Sequence, residues 1–257
     1  MLSLSQIQRF YPPSLHGFGG FLLREYLQYK ILEIIFESSY ASRLCFLGGT
    51  CLRIIHGNMR FSEDLDFDNF QLSEQEFSAI GSLVKSKLSL QGYHVEVKQV
   101  IAGAFHCYIK FPGLLYDENL SGHKEAKILI QLDTEPQHFD FEPEPVILNK
   151  FDVFTSIHTT PIDILLSQKF FALINRKQKK GRDFYDVVFL LKHTSPNYNY
   201  LNQKLGIKNR AELKQRVLAE LEAINLPQMA NDVKPFLFNA ADIKTLLLFE
   251  QYVRQAL

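Results

Sequence analysis

The sequence predicts an α+β first part followed by an almost wholly helical second part. Three observations carry this. Segments rich in β-formers and partly alternating in polarity recur between residues 93 and 133. A helix-start signal, Thr160-Pro161-Ile162-Asp163, opens the second part: a cap, a proline at the first helical position and an acid in the first turn. Beyond it, helical patterns are interrupted only by Pro196, Pro227 and Pro235. The boundary falls near residue 157, so we expect one domain over 1–157 and a second over 158–257.

Residues 1–18 read as irregular. From Phe21 to Phe36 the apolar positions suit a largely buried helix. A strand is expected over Ala41–Leu47, a tight turn at Gly48 and Gly49, and a short helix over Thr50–His56 whose free N–H groups face a phosphate. A second strand then carries Asp64 and Asp66. Ser73 with Glu76 has the spacing of a capping box, opening a helix that runs to about Leu90 and closes at Gly92. Strands follow over Tyr93–Val100, Ala104–Phe111 and Lys124–Asp133. Thr134–Pro145, with its repeated Glu-Pro pairs, reads as a loop, and Lys150–Ile157 as a last strand. Helices are expected near 161–176, 182–193, 209–224 and 240–255.

Composition excludes several function classes. The chain has 257 residues, 46% of them hydrophobic, enough for a substantial core. Lys+Arg and Asp+Glu balance at 28 each, so no global field draws the chain to nucleic acid or membrane, and any basic surface is local. Three scattered cysteines, Cys45, Cys51 and Cys107, make no disulfide framework and suit a reducing cytosol. No secretory leader and no apolar run long enough to span a bilayer is present, and a cytoplasmic location is expected. The eight histidines show no zinc-ligand spacing, and neither a P-loop nor a G-x-S-x-G motif occurs.

The chemistry centres on residues 46–67. Side chains two apart in a strand point the same way, so Asp64 and Asp66 lie side by side while Leu65 and Phe67 face the core. Two adjacent carboxylates disfavour each other's ionisation, and a divalent cation removes that penalty. The pair reads as a Mg2+ site for a phosphate-bearing substrate. The plain alternative is a tight turn and two surface acids on an edge strand. Gly48-Gly49-Thr50, with backbone amides and a hydroxyl for phosphates, fourteen residues before Asp64, favours the first reading.

Together, Gly48-Gly49-Thr50-Cys51-Leu52-Arg53 and Arg60-Phe61-Ser62-Glu63-Asp64-Leu65-Asp66-Phe67 resemble the signature of the AbiEii/AbiGii-type toxin nucleotidyltransferases, within the polymerase-β-like nucleotidyltransferase superfamily. Arg24–Gln28 and the later stretch Lys169–Val187 resemble the family as well, so the likeness spans about residues 21–192. The resemblance implies a mixed-sheet nucleotidyltransferase core, a C-terminal helical bundle, and transfer of a nucleoside monophosphate from an NTP with release of pyrophosphate. It implies two Mg2+ ions on Asp64 and Asp66, and nucleotide binding by Gly48, Gly49, Thr50, Lys169 and Arg182. A third carboxylate is expected on a neighbouring strand; Asp133 is the candidate, with Glu125 and Glu135 behind it, while Leu129 and Gln131 on the same face leave open that the ligand is absent or comes from the helical part.

Lys169, Ala172, Leu173 and Arg176 follow helical i, i+3, i+4, i+7 spacing, and Lys169 reads as a point charge for triphosphate oxygens. A solvated basic face is the alternative, favoured for Lys177, Lys179 and Lys180. Of the i, i+3 pair Asp183 and Asp186, Asp183 is the preferred catalytic member and Asp186 secondary, together with Arg60, Ser62 and Arg176. The active site is expected in a cleft, Asp64 and Asp66 on one wall and Lys169 and Asp183 on the other. The resemblance implies the toxin of a toxin–antitoxin or abortive-infection pair, a cognate antitoxin protein and an RNA acceptor, the tRNA 3′ end foremost. A protein or small-molecule acceptor, or an inactive core serving as a binding module, are the competing functions.

Overall fold

A computed structural model describes residues 1–102 and 104–257. The chain forms two compact units, one of residues 1–55 and 61–159, the other of residues 56–60 and 160–257.

The first unit holds seven strands: β1 (Leu44–Leu47), β2 (Leu65–Asn69), β3 (Glu96–Ala102), β4 (Ala104–Pro112), β5 (Lys127–Glu135), β6 (Glu144–Lys150) and β7 (Val153–Thr159). They make one mixed sheet in the order β3-β4-β5-β2-β1-β7-β6. β2 runs parallel to β5 and β1 parallel to β7, while the other neighbours are antiparallel. Its helices are α1 (Leu4–Gln8), α2 (Gly19–Phe36), α3 (Gly48–Ile54), α4 (Glu74–Leu90) and α5 (Leu114–Asp117).

One face of the sheet is the core. Leu65 and Phe67 of β2, Ile128, Ile130 and Leu132 of β5, and Cys107, Ile109 and Phe111 of β4 are all buried on alternate positions. Phe67 meets the rings of Phe46 and Phe36, the latter at the end of α2. α2 is buried almost all round, and the charged side chains it buries are paired, Glu25 with Arg53 and Lys150 and Lys30 with Glu33. Removing a ring such as Phe67 from this layer is expected to destabilise by about 3–5 kcal/mol. The intervening residues of β5 and β4, Gln131 and Asp133, His106 and Tyr108, occupy the other face and are half-buried.

α4 starts as the sequence indicates: the Glu76 N–H donates to Ser73 Oγ at 3.2 Å and Ser73 N–H to Glu76 Oε2 at 2.8 Å. Three expectations are corrected. Residues 1–18 are not irregular, since Leu4–Gln8 is a helix and Pro13–Phe18 a 3-10 turn. The loop expected over Thr134–Pro145 ends early, because Glu144 opens β6, and the single strand expected over Lys150–Ile157 is a β6–β7 hairpin. Pro145 is tolerated because β6 is an edge strand, where a missing N–H breaks no ladder.

The second unit holds α6 (Ile162–Asn175), α7 (Gly181–Leu191), α8 (Tyr198–Leu205), α9 (Arg210–Leu221), α10 (Leu226–Val233), α11 (Lys244–Leu247) and α12 (Phe249–Ala256). α6 and α7 form its centre, with Phe170, Leu173, Phe184, Val187 and Leu190 buried together with Leu213, Val217, Phe249 and Val253. α6 begins one residue later than expected. Pro161 is the cap residue and no side chain caps it; the Asp163 carboxylate instead accepts from Ile164 N–H at 2.8 Å. The helix expected over 240–255 is broken into a 3-10 turn, α11 and α12, and α8 and α10 lie in stretches where no helix was expected. Gly181 has to be glycine, because a Cβ there would lie 2.0 Å from the Met229 carbonyl oxygen.

Residues His56–Arg60 belong to this unit although their chain neighbours on both sides belong to the first. Arg60 bridges Leu237, and Phe238 N–H donates to the Met59 carbonyl. Among the described residues no helix is long and apolar enough to cross a membrane.

Candidate active site

In the first unit the predicted site residues come together at the junction of β1, α3 and β2. Asp66 pairs with Leu47 of the antiparallel β1 on one side and, in register, with Asp133 of the parallel β5 on the other. Parallel neighbours in register project to the same face, so the Asp66 and Asp133 carboxylates share the open face of the sheet. His106 is the next residue along the same row. Its Nδ1 lies 2.6 Å from Asp133 Oδ1, and Gln131 Nε2 donates to both Asp133 oxygens at 2.8 and 3.0 Å.

Gly48 opens α3 with φ +80°, and a Cβ there would come within 2.2 Å of Asp66 Oδ2. Only glycine gives this carboxylate its room while taking that backbone angle. Gly49 is buried behind it. Thr50 does something other than expected. It is fully buried, and its hydroxyl donates to the backbone carbonyl of Asp64, so it fixes the acid-bearing segment instead of presenting its Oγ to a phosphate.

Gln28 of α2 adds to this clamp, donating from Nε2 to the carbonyls of Ser62 at 3.1 Å and Glu63 at 2.9 Å; Arg24 pairs with the Glu63 carboxylate at 3.1 Å. The carbonyls of residues 62, 63 and 64 are thus all held by buried or half-buried side chains. The role of Gln28 was missed, although an amide within the apolar run of a largely buried helix was a visible signal. Burial pushes the Cys51 thiol well up, with Cys45 and the Asp66 carboxylate adding to the effect, which makes it an inert packing residue.

In the second unit the other predicted residues form a column of alternating charge. Asp186 is fully buried. It accepts from Arg60 at 2.7 Å (Nε) and 2.6 Å (Nη2), from Asn58 Nδ2 at 2.8 Å, and pairs with Lys169 Nζ at 2.8 Å. Lys169 Nζ also reaches Asp183 Oδ1 at 3.1 Å, and Arg176 Nη1 meets the second Asp183 oxygen at 2.5 Å. Burial alone would raise the Asp186 carboxyl, but Arg60 and Lys169 overcome it and hold the group down at about 2.

Burial likewise works against the Lys169 ammonium, and the Asp186 and Asp183 carboxylates hold it above its ordinary value. Lys169 is therefore a permanent cation, suited to act as a point charge and unsuited to be a base. Its side chain is 15% exposed, at the wetter end of the column with Asp183 and the 40%-exposed Arg176. Asp186, ranked behind Asp183 from sequence, is the buried hub. Asn58 was not anticipated, since its partner is 128 residues away. Arg182 stacks on Phe236, its guanidinium carbon 4.7 Å from the ring centroid.

A family model for the nucleotidyl transferase AbiEii toxin of type IV toxin–antitoxin systems matches residues 30–253. The chain belongs to this AbiEii family. It is accordingly a nucleotidyltransferase of the toxin class, with the strand-borne aspartates and the Lys169 column both inside the matched span. Comparison with curated proteins gave no match. Two solved structures share the fold. JHP933 from Helicobacter pylori is 17% identical over 92% of this chain and 91% of that one, with a TM-score of 0.58. A candidate nucleotidyltransferase from H. pylori is 17% identical over 91% of this chain and 93% of that one, with a TM-score of 0.55.

Among the described residues no three His, Cys, Asp or Glu side chains are gathered as a ready-made metal cage. The donor set fits Mg2+ nonetheless. This ion is commonly held by one or two carboxylates, with water and substrate phosphates completing its shell. Asp64 and Asp66 are two carboxylates two positions apart in the chain, and the missing Cβ of Gly48 is what lets the Asp66 carboxylate lie where it does.

Proposed function

We propose that this AbiEii-family chain moves a nucleoside monophosphate from an NTP onto a hydroxyl of an RNA acceptor, the tRNA 3′ end first among them. In this reading the acceptor oxygen bonds to the α-phosphorus, the bond from that phosphorus to the bridging oxygen breaks, and pyrophosphate leaves with the electron pair. The observation that carries it is the in-register pair Asp66 and Asp133 beside Gly48.

Mg2+ held by Asp64 and Asp66 would supply positive charge to the phosphate oxygens and acidify the attacking hydroxyl. Asp133 accepts the hydroxyl proton, with His106 hydrogen-bonded behind it to share the added charge. Gly48 and Gly49 let the triphosphate approach the backbone closely. Thr50 and Gln28 keep the carbonyls of residues 62–64 still, which fixes Asp64. Within the second unit Asp183 and Asp186 hold Lys169 as a fixed cation of the kind a phosphate oxygen takes. The protein works in the cytoplasm as a toxin restrained by a cognate antitoxin, in keeping with the type IV family.

The test is incubation with each α-labelled NTP, Mg2+ and total RNA, beside Asp66→Ala. Label entering RNA with wild type alone is expected. Label entering protein or small molecules instead, or entering nothing, overturns the RNA reading.

A further inference from the structure

A cavity of about 780 Å³ opens in the first unit where β2 and β5 end. Its walls carry the rings of Phe70, Phe139 and Phe141 and the carboxylates of Asp68, Asp140 and Glu142. Phe70 and Phe141 meet edge to face at 5.9 Å. Among the described residues, no Lys or Arg lines it. Its size suits a small-molecule or single-residue ligand. Asp68 is buried and accepts from Gln137 N–H at 2.9 Å, so the exposed Asp140 and Glu142 are the acceptors turned to a ligand. With no Lys or Arg among the described lining residues, only His138 and His158, they disfavour a phosphate.

The chemistry that remains is planar and rich in donors. Aromatic faces take a flat π-system, and carboxylates accept from exocyclic amino groups. A nucleobase bearing an amino group meets both demands, as unpaired RNA bases do when they stack on aromatic side chains and bond along their edges. The location agrees. Asp68 is two residues beyond Asp66 on the same strand, hence on the same face and about 7 Å further along. The loop forming one wall begins at Pro136, directly after the strand that carries Asp133, the residue assigned above to the acceptor's hydroxyl.

We propose that this cavity binds the amino-bearing base of an unpaired nucleotide at the acceptor RNA's 3′ end. It rests on the RNA reading given above and adds to it a preference for A, C or G over U at that position. Three bases carry exocyclic amino donors; uracil offers one ring N–H between two carbonyls that the carboxylates repel.

The test is fluorescence anisotropy with 5′-labelled single-stranded RNA oligonucleotides that differ only in the 3′ base, on the Asp66→Ala chain so that no transfer intervenes. Binding is expected to favour A, C and G over U. Phe141→Ala should weaken it about tenfold, the effect of losing one stacked base. Phe141→Leu, which keeps volume but removes the flat face, should do nearly the same, and circular dichroism melting checks that both fold. Glu142→Gln should narrow the preference between bases.

Equal affinity for all four ends, or for wild-type and Phe141 variants, overturns the assignment. So does a Lys- and Arg-rich peptide whose binding, unlike that of RNA, is lost with Phe141, since the cavity would then serve a protein. Transfer by the unmodified chain is read in parallel. Label in RNA with Phe141 variants binding normally removes the cavity assignment alone. Absence of label in RNA removes the proposed function, whatever the binding result.

Discussion

The two clusters of charge in this molecule are built on opposite plans. On the sheet of the first unit, a carboxylate stands beside a carboxylate: Asp66 and Asp133 share a row, and Asp64 lies immediately before β2. The partners of Asp133 are an imidazole and an amide. In the second unit the signs alternate, Arg60, Asp186, Lys169, Asp183, Arg176, each carboxylate lying between two cations. Like charges held together on a rigid sheet favour a cation brought from outside. An alternating column satisfies itself, and its contribution is to hold one cation, Lys169, in a fixed place and a fixed protonation state.

The comparison is broken most sharply by removing one carboxylate from each cluster. Asp66→Ala is expected to lower NTP turnover by about 10³-fold, ~4 kcal/mol in the barrier, with an unchanged urea midpoint. Asp186→Ala should instead cost about 3–5 kcal/mol of folding stability, because the buried Arg60 loses the carboxylate that takes two of its N–H groups and Lys169 keeps Asp183 alone of its two carboxylates. Urea unfolding of the two variants checks both statements. A large stability loss in the first and none in the second would invert the account.

Acid pH sharpens the same contrast. The Asp186 carboxyl sits at about 2 in the folded chain, below its unfolded value. It therefore contributes stability that is fully present above about pH 4 and lost as pH falls through about 2, on the order of 2 kcal/mol. Acid titration of stability should show this component in wild type and lack it in Asp186→Asn.

A smaller effect is expected at the rim of the acid row. Gly48→Ala meets both a φ of +80° and the Asp66 carboxylate. It should destabilise by about 1–2 kcal/mol and lower turnover through displacement of Asp66. An active, fully stable Gly48→Ala would remove the steric argument for that glycine.

Local chemistry was legible in the sequence. The Ser73–Glu76 capping box and the two-faced pattern of β5 each depend on residues within a few positions, whereas of the two acids expected on one strand Asp66 lies on β2 and Asp64 just before it. What the sequence hid was set by distant or unusual packing. Arg60 and Asp186 are 126 residues apart, and nothing near either names the other. The β6–β7 hairpin lacks the Gly or Asn that usually marks such a turn. Phe151 takes φ +61° there, its ring held among Phe10, Tyr11, Tyr26 and Tyr29. Packing of one ring against four others outweighs a backbone penalty of about 1 kcal/mol. Thr50 was misread for a related reason: its hydroxyl is the right type for a phosphate, and only the fold shows it occupied by the Asp64 carbonyl.

The most direct test of the central claim, that the acid row of the first unit is where the triphosphate reacts, is pyrophosphate release. Wild type, Asp66→Ala and Asp133→Asn would be supplied with the four NTPs, Mg2+ and RNA, and the pyrophosphate counted. The account predicts release by wild type, its loss in Asp66→Ala, and a strong reduction in Asp133→Asn with its fold intact. Undiminished release by a folded Asp66→Ala chain would contradict it.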